Sequence, residues 1–376
     1  MAQAGRLTAI VTTTGRRLGG MALRRGSWSL IDQAIMSGGT FVGNILMARE
    51  LSRNDYGIFA ILFSAMLGLQ IFNTTLLHHP LSIRLVTKED EQKKPLMAAS
   101  MILTTVLSLM LALGLAIGIV AFGFAYLLVP AIAWFIAWQV QESMRRGLLS
   151  LFRHKEACIG DAISYIGQAV AIVALAYFDQ LTLYTALWAM ALTSLLAALL
   201  QLVQLSPFTR QGLPLRETVV DYWSVGGVWT LGSGLFTLVR NQIVPWTLAV
   251  IGGPSAAAGF QAAANVISLL NPISMSVGNV MPQAVSETKA KGRLHAWRTA
   301  RSYGILALPP IVGYGLLATV LPSILLMVLY GSDSSYVLLH WPVRFLMLAM
   351  FLSYLGEVAI FYLHGMAAIR LAFVIN

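Results

Sequence analysis

The sequence predicts an all-α, polytopic membrane protein: two six-helix lobes in parallel repeat around a central cavity, the second lobe lacking its last two helices. Three observations carry that prediction. The 376 residues are 57% hydrophobic and only 11% charged, with a mean hydropathy of +0.75, whereas soluble domains carry roughly 25% charged residues. Long stretches such as 96–141 and 181–207 contain no charge at all, and an apolar run of about 20 residues is long enough to cross a bilayer as a helix. The basic residues, thirdly, collect on alternate connections between those runs. Continuous apolar runs without period-two alternation exclude a β-barrel. The single cysteine, Cys158, leaves neither a disulfide framework nor a multi-cysteine metal site.

The first element is a basic tail, 1–26, with arginines but no sustained apolar core, which reads as a retained cytoplasmic tail and not a signal peptide. Ten spans follow, at 27–48, 57–83, 96–118, 121–141, 157–178, 182–205, 222–251, 257–283, 303–329 and 341–364. They divide the chain into an N-lobe at 27–205, a cytoplasmic linker at 206–221 and a C-lobe at 222–376. Of the 25 Lys and Arg, 21 fall in the N-tail, in the even-numbered connections (Arg145 and Arg146 in the fourth) or after the tenth span. The other face holds Arg49 and Arg53, while Arg240 and Arg344 lie within spans. This asymmetry puts the N-terminus and the even connections in the cytoplasm. It accounts for the net charge of +10 through orientation and contact with anionic lipid, with no nucleic acid required.

An internal repeat relates the halves. At an offset of 202 residues, Gly57 lies over Gly259 and Pro80 over Pro282, at the ends of spans of the same order and orientation. At an offset of 215, Glu142 lies over Glu357 and Lys155 over Arg370. The repeat unit is then six helices, a known transporter plan. Asn376 corresponds to Asp161, so a complete second copy would extend by roughly 45–60 residues, two helices and their loops.

The hairpin "ILMARELSRNDYGIFAIL" (45–62), its counterpart "LAVIGGPSAAAGFQAAANVISLLNPISMSVGNVMPQAVSE" (248–287) and the stretch "QESMRRGLLSLFRHKEACIGDAISY" (141–165) carry a resemblance. From about Gly26 onward the chain resembles the polysaccharide flippases of the multidrug/oligosaccharidyl-lipid/polysaccharide exporter superfamily, similar to O-antigen and exopolysaccharide flippases. The resemblance implies a bacterial inner-membrane carrier that moves a polyprenyl-diphosphate-linked oligosaccharide from the inner to the outer leaflet by alternating access. It also implies membrane lipids, glycosyltransferases and a polysaccharide polymerase as partners, with no cofactor.

Span one carries a polar stripe, Gln33, Ser37, Thr40 and Asn44, bordered by Asp32; such spacing shares one helix face and suits either helix packing or cavity lining. Span eight repeats it with Gln261, Asn265, Ser268, Pro272, Ser276, Asn279 and Gln283, where a water-filled cavity is the better account and Pro272 marks a bend. Arg240 in span seven sits too deep to snorkel easily to the cytoplasm. Under the resemblance, its rigid fork of donors matches a diphosphate, which Arg49 receives at the outer end. The predicted substrate-binding set is therefore Arg240, Arg49, Asn44, Gln33, Asn265 and Asn279. Asp32 and Glu357 are candidates for proton or sodium coupling, or for neutralising an arginine. His78 and His79 are expected among headgroups.

A drug or organic-cation exporter of the same superfamily is the competing reading, and an inactive truncated relic another. An enzyme would need acidic metal-binding clusters or a large outer loop; the loops are short and no DxD-like pair is present.

Overall fold

In the computed structural model the described residues, 28, 31–206, 213–225 and 227–366, are helical with short turns and contain no β-strand. The basic tail, part of the linker and the end of the chain, Arg370 and Asn376 included, lie outside them.

Among the described residues each predicted span falls mainly on helix. Helix α1 covers 31–50, then α2 Arg53–Asn73, α3 His79–Thr87, α4 Asp90–Ala121, α5 Leu128–Ser150, α6 His154–Asp161, α7 Gly167–Tyr177 and α8 Leu183–Leu205. They are followed by α9 Leu215–Val225, α10 Gly227–Ser268, α11 Asn271–Thr288, α12 Arg293–Val320, α13 Pro322–Tyr330 and α14 His340–Gly365. Among the described residues, seven helical stretches are long and apolar enough to cross a membrane: Arg53–Leu85, Asp90–Ala121, His154–Tyr177, Leu183–Leu205, Thr230–Ser268, Arg293–Val320 and His340–Leu363. Helices α1, α5 and α11 are too polar to join that set, because Asp32, Gln33 and Asn44, Gln139 to Arg145, and Asn271 to Ser276 dilute their apolar faces. In a membrane protein a polar face of that kind must meet protein, water or an ion.

Two predicted spans, the eighth and the ninth, are broken, each at a residue with a reason. The eighth starts at Gly253, whose φ of 68° and ψ of −172° are open to glycine alone, so α10 is two helices meeting at Gly253 and Pro254. It breaks again at Leu269 and Leu270, and α11 restarts with Pro272 in its first turn, where a missing N–H costs nothing; the bend expected at Pro272 is thus a full break. The ninth divides at Leu321, with Pro322 opening α13.

Backbone contacts group the chain into two compact units. One comprises Met1–Thr40, Met66–Gln180 and Tyr184–Gly234; the other Phe41–Ala65, Leu181–Leu183 and Leu235–Asn376. The first unit buries Leu77, Leu81, Leu85, Met97, Met144 and Leu148 around Tyr222, whose hydroxyl shares a hydrogen bond with Ser100. In the second, α11, α12 and α14 pack on one another, with Gly304 against Val358 and the Tyr354 hydroxyl donating to the Gly304 carbonyl at 2.7 Å. Small residues let helices approach closely where lipid supplies no hydrophobic drive.

Within the second unit the two repeated hairpins meet about equivalent residues. Arg53 Nε donates to the Ser255 carbonyl at 3.3 Å, across 202 positions, the offset read from the sequence. Gly57 lies against Pro254, and its counterpart Gly259 against the Arg53 guanidinium. A Cβ on Gly57 would stand 1.9 Å from the Pro254 carbonyl oxygen, and backbone cannot swing aside as a side-chain tip can. Alanine gains about 1 kcal/mol over glycine in a helix, yet overpacking costs about 1–3 kcal/mol. Gly57→Ala is therefore expected to lower the thermal unfolding temperature of the purified chain in detergent, and Gly57→Val to lower it further.

Candidate functional site

The first unit contains a cluster of charges inside the helices. Arg145 on α5 is 7% exposed. Its Nη2 donates to Asp32 Oδ2 at 2.7 Å, its Nε to Asp161 Oδ2 at 2.5 Å, and Nη1 lies 3.5 Å from Glu142 Oε1. Arg146 Nε donates to the same Glu142 oxygen at 2.6 Å. Gln141 holds the far side of Asp161 through Nε2 at 3.4 Å and accepts from Ser164 at 2.9 Å. Thus α1, α5 and α6 each contribute, and a π-turn, Ala162–Ile166, directly follows Asp161. Such turns insert a residue into a helix and recur at functional sites.

Three carboxylates, Asp32, Glu142 and Asp161, here face two guanidiniums, leaving one negative charge over. Asp32 Oδ1 is buried with no donor. An ion pair survives burial only when its charges balance and its lone pairs are met, so the chemistry fits uptake of one proton or monovalent cation beside Asp32. The sequence reading included Asp32 but placed Arg145 in a basic connection; α5 in fact runs on to Ser150 and carries Arg145 inside. The Glu142, Arg145, Arg146 spacing of i, i+3 and i+4 is the signal that could have revealed it. His78, expected among headgroups, is also buried, at 1% exposure.

In the second unit Asn44 and Asn265 are brought together through Tyr56. Asn265 Nδ2 donates to the Tyr56 hydroxyl at 2.9 Å and the Tyr330 hydroxyl at 3.2 Å, and its Oδ1 accepts from Gln261 Nε2 at 3.0 Å. Tyr56 in turn donates to Asn44 Oδ1 at 3.5 Å, and Tyr330 to the Ala262 carbonyl at 2.9 Å. Every polar atom of the Asn265 side chain is used. Tyr56 and Tyr330 were not among the expected residues; a lone tyrosine in an apolar run carries no periodic signal. Tyr56→Phe strands an Asn265 hydrogen in a buried site, which costs about 1–3 kcal/mol. The expected result is a matching loss of stability in detergent unfolding, with Asn265→Ala in the Tyr56→Phe background adding little further loss.

Arg49 donates from Nε to the Leu329 carbonyl at 2.5 Å and from Nη2 to Val328 at 2.7 Å. It therefore caps the C-terminal end of α13, where carbonyls lack helical partners. Gln33, in the first unit, donates to Ser37 at 3.1 Å one turn along the stripe. Asn279 lies on α11, and its side chain is outside the described residues. Arg240 is exposed, thirteen residues from both Gly227 and Gly253. At 1.5 Å per residue that is about 20 Å from either end, the middle of a membrane-crossing helix. Its neighbour Asn241 accepts from its Nε at 3.5 Å, and Glu357 on α14 is within electrostatic reach. Glu357 lines a cavity of about 240 Å³ with Asn271, Ser274, Ser353 and Tyr354. No group of three or more His, Cys, Asp and Glu placed to hold a metal occurs among the described residues.

The family described as polysaccharide biosynthesis protein matches residues 22–283. No curated protein sequence matches the chain. Among solved structures, it is similar to a multidrug resistance MATE family transporter of the MOP superfamily in its inward-facing conformation. The TM-score is 0.73 at 14% identity, over 91% of this chain and 83% of that one. A MOP superfamily transporter from Pyrococcus furiosus, with a binding pocket of reverse polarity, gives 0.66 at 14%, over 94% and 84%. An outward-facing MATE family transporter gives 0.63 at 16%, over 94% and 84%. At such identities the likeness is one of fold.

Proposed function

This chain belongs to the polysaccharide biosynthesis protein family, and from that premise we propose that it flips a polyprenyl-diphosphate-linked oligosaccharide across a bacterial inner membrane. It works by alternating access, with its N-terminus in the cytoplasm, and serves glycosyltransferases and a polymerase that build a surface polysaccharide. The observation that carries the reading is Arg240, an exposed guanidinium at mid-helix. A charge at that depth marks a pathway more often than a packing contact, and its positive sign suits an anionic diphosphate over a cationic drug.

The amide side chains of Gln33, Asn44 and Asn279 serve the sugar, Asn265 acts through the tyrosines that it holds, and the remaining N–H groups of Arg49 meet the head group at the outer end. Asp32, with Asp161 as its partner on Arg145, takes the coupling proton or cation; Glu357 is the second coupling carboxylate. Conversely, the carboxylate-lined cavity at Glu357 favours the second reading, export of organic cations.

One experiment separates the two. In a strain lacking its own copy, the full chain should restore surface polysaccharide and clear lipid-linked oligosaccharide from the inner leaflet. Restored drug resistance with no change in polysaccharide would replace this reading with the exporter.

A further inference from the structure

A seam of unpaired polar atoms runs through the first unit, between the second span and α5. It begins at Asn73, which is wholly buried. Asn73 Nδ2 donates to Ser108 Oγ and to Gln139 Oε1, both at 3.0 Å. That leaves Asn73 Oδ1 and Gln139 Nε2 buried with no partner. Turning both amides over swaps these roles and still leaves one donor and one acceptor over. One turn on, the π-turn Thr74–His78 carries His78 into the same protein interior, and neither ring nitrogen has a partner. A neutral imidazole supplies one donor and one acceptor. The seam therefore presents two donors and two acceptors, a matched set.

Each such atom, left dry, costs about 1–3 kcal/mol, which no packing gain at these positions offsets. Water satisfies all four, since each molecule accepts from one group and donates to another. Further along α5 lie Glu142 and Arg146, the charges that act on the His78 ring. Glu142 is 6% exposed at its side chain while that of Arg146, bonded to it, is 41% exposed, so the interior at His78 opens toward the outside of the protein on the Arg146 side.

We propose that the Asn73, Gln139 and His78 seam holds buried water that hydrogen-bonds the His78 ring and exchanges its N–H proton with the water outside. In each exchange the bare ring nitrogen takes a proton from one water while the N–H gives its proton to another, and the waters pass the difference between them, so ring and water are neutral before and after. Water in the seam is independent of the coupling reading above.

The test is water-edited solid-state NMR of the full chain in lipid bilayers with ¹⁵N-labelled histidine. The His78 ring signal is assigned by its disappearance in His78→Gln or, should that chain fail to fold, in a chain whose five other histidines are glutamine. Magnetisation should pass from water to the His78 ring through exchange of its N–H proton, and Gln139→Leu, which removes the seam's amide, should abolish the transfer. A wild-type ring that receives nothing from water, or one that still receives it in Gln139→Leu, overturns the proposal. A chain that shows the transfer but restores no polysaccharide would count against the flippase reading alone.

Discussion

Exchange of Arg145 for glutamine is expected to cost the folded protein about 3–5 kcal/mol, read as a fall in the unfolding midpoint of the purified chain in detergent. The reason lies in what is left behind. Asp32, Glu142 and Asp161 all converge on that one guanidinium, and each is 5% exposed or less. Without it, buried carboxylates face one another with no compensating charge, and uncompensated burial outweighs any packing retained by glutamine. Asp32→Asn should behave oppositely. It removes the surplus negative charge, and its amide oxygen can still accept from Arg145 Nη2, so its midpoint should stay close to wild type. Combining Arg145→Gln with Asp161→Asn should cost less than the two separately, because both act on one contact. An Arg145→Gln midpoint indistinguishable from wild type would mean the guanidinium is not the hub of the cluster.

The contrast between Arg145 and the helices around it shows what a hydropathy reading can recover. The apolar runs were legible because lipid and protein core both reward unbroken hydrophobicity, and α4 and α8 stand close to where the uncharged stretches put them. The connection between the seventh and eighth spans was legible at 252–256, where Gly253 takes a backbone conformation open to glycine alone. The close approach at Gly57 was legible only as a glycine at a helix end; that it meets Pro254 is set by a hairpin about 200 positions away. Arg145 was not legible, because a charge near the end of an apolar run reads as loop, although Glu142 one turn back and Asp161 and Asp32, 16 and 113 positions away, make it a buried residue. Arg49 is placed by the sequence at the outer end of the first span, but its capping of α13 was not legible. Its carbonyl partners lie 279 and 280 positions away, and nothing local announces a helix end at that distance. The polar stripe of α1 was seen, but which of its members meet protein depends on Tyr56 and Arg145, on other helices.

Replacing Arg240 by alanine is expected to abolish surface polysaccharide in a strain that depends on this chain, with the amount of protein in the membrane unchanged. The exposed side chain makes few packing contacts to lose, so stability should hold while function does not. Lysine at the same position keeps the charge but replaces a planar fork of donors with a point charge, and should recover only part of the polysaccharide. The rival role for Arg240 is to neutralise Glu357, which lies within its electrostatic reach. That rival makes a different forecast: if charge balance were the whole role, Glu357→Gln would rescue Arg240→Ala. A ligand contact is not restored by removing the opposite charge. Hence the double variant should stay without polysaccharide, and wild-type polysaccharide from either Arg240→Ala or the double variant would remove the diphosphate contact from the mechanism.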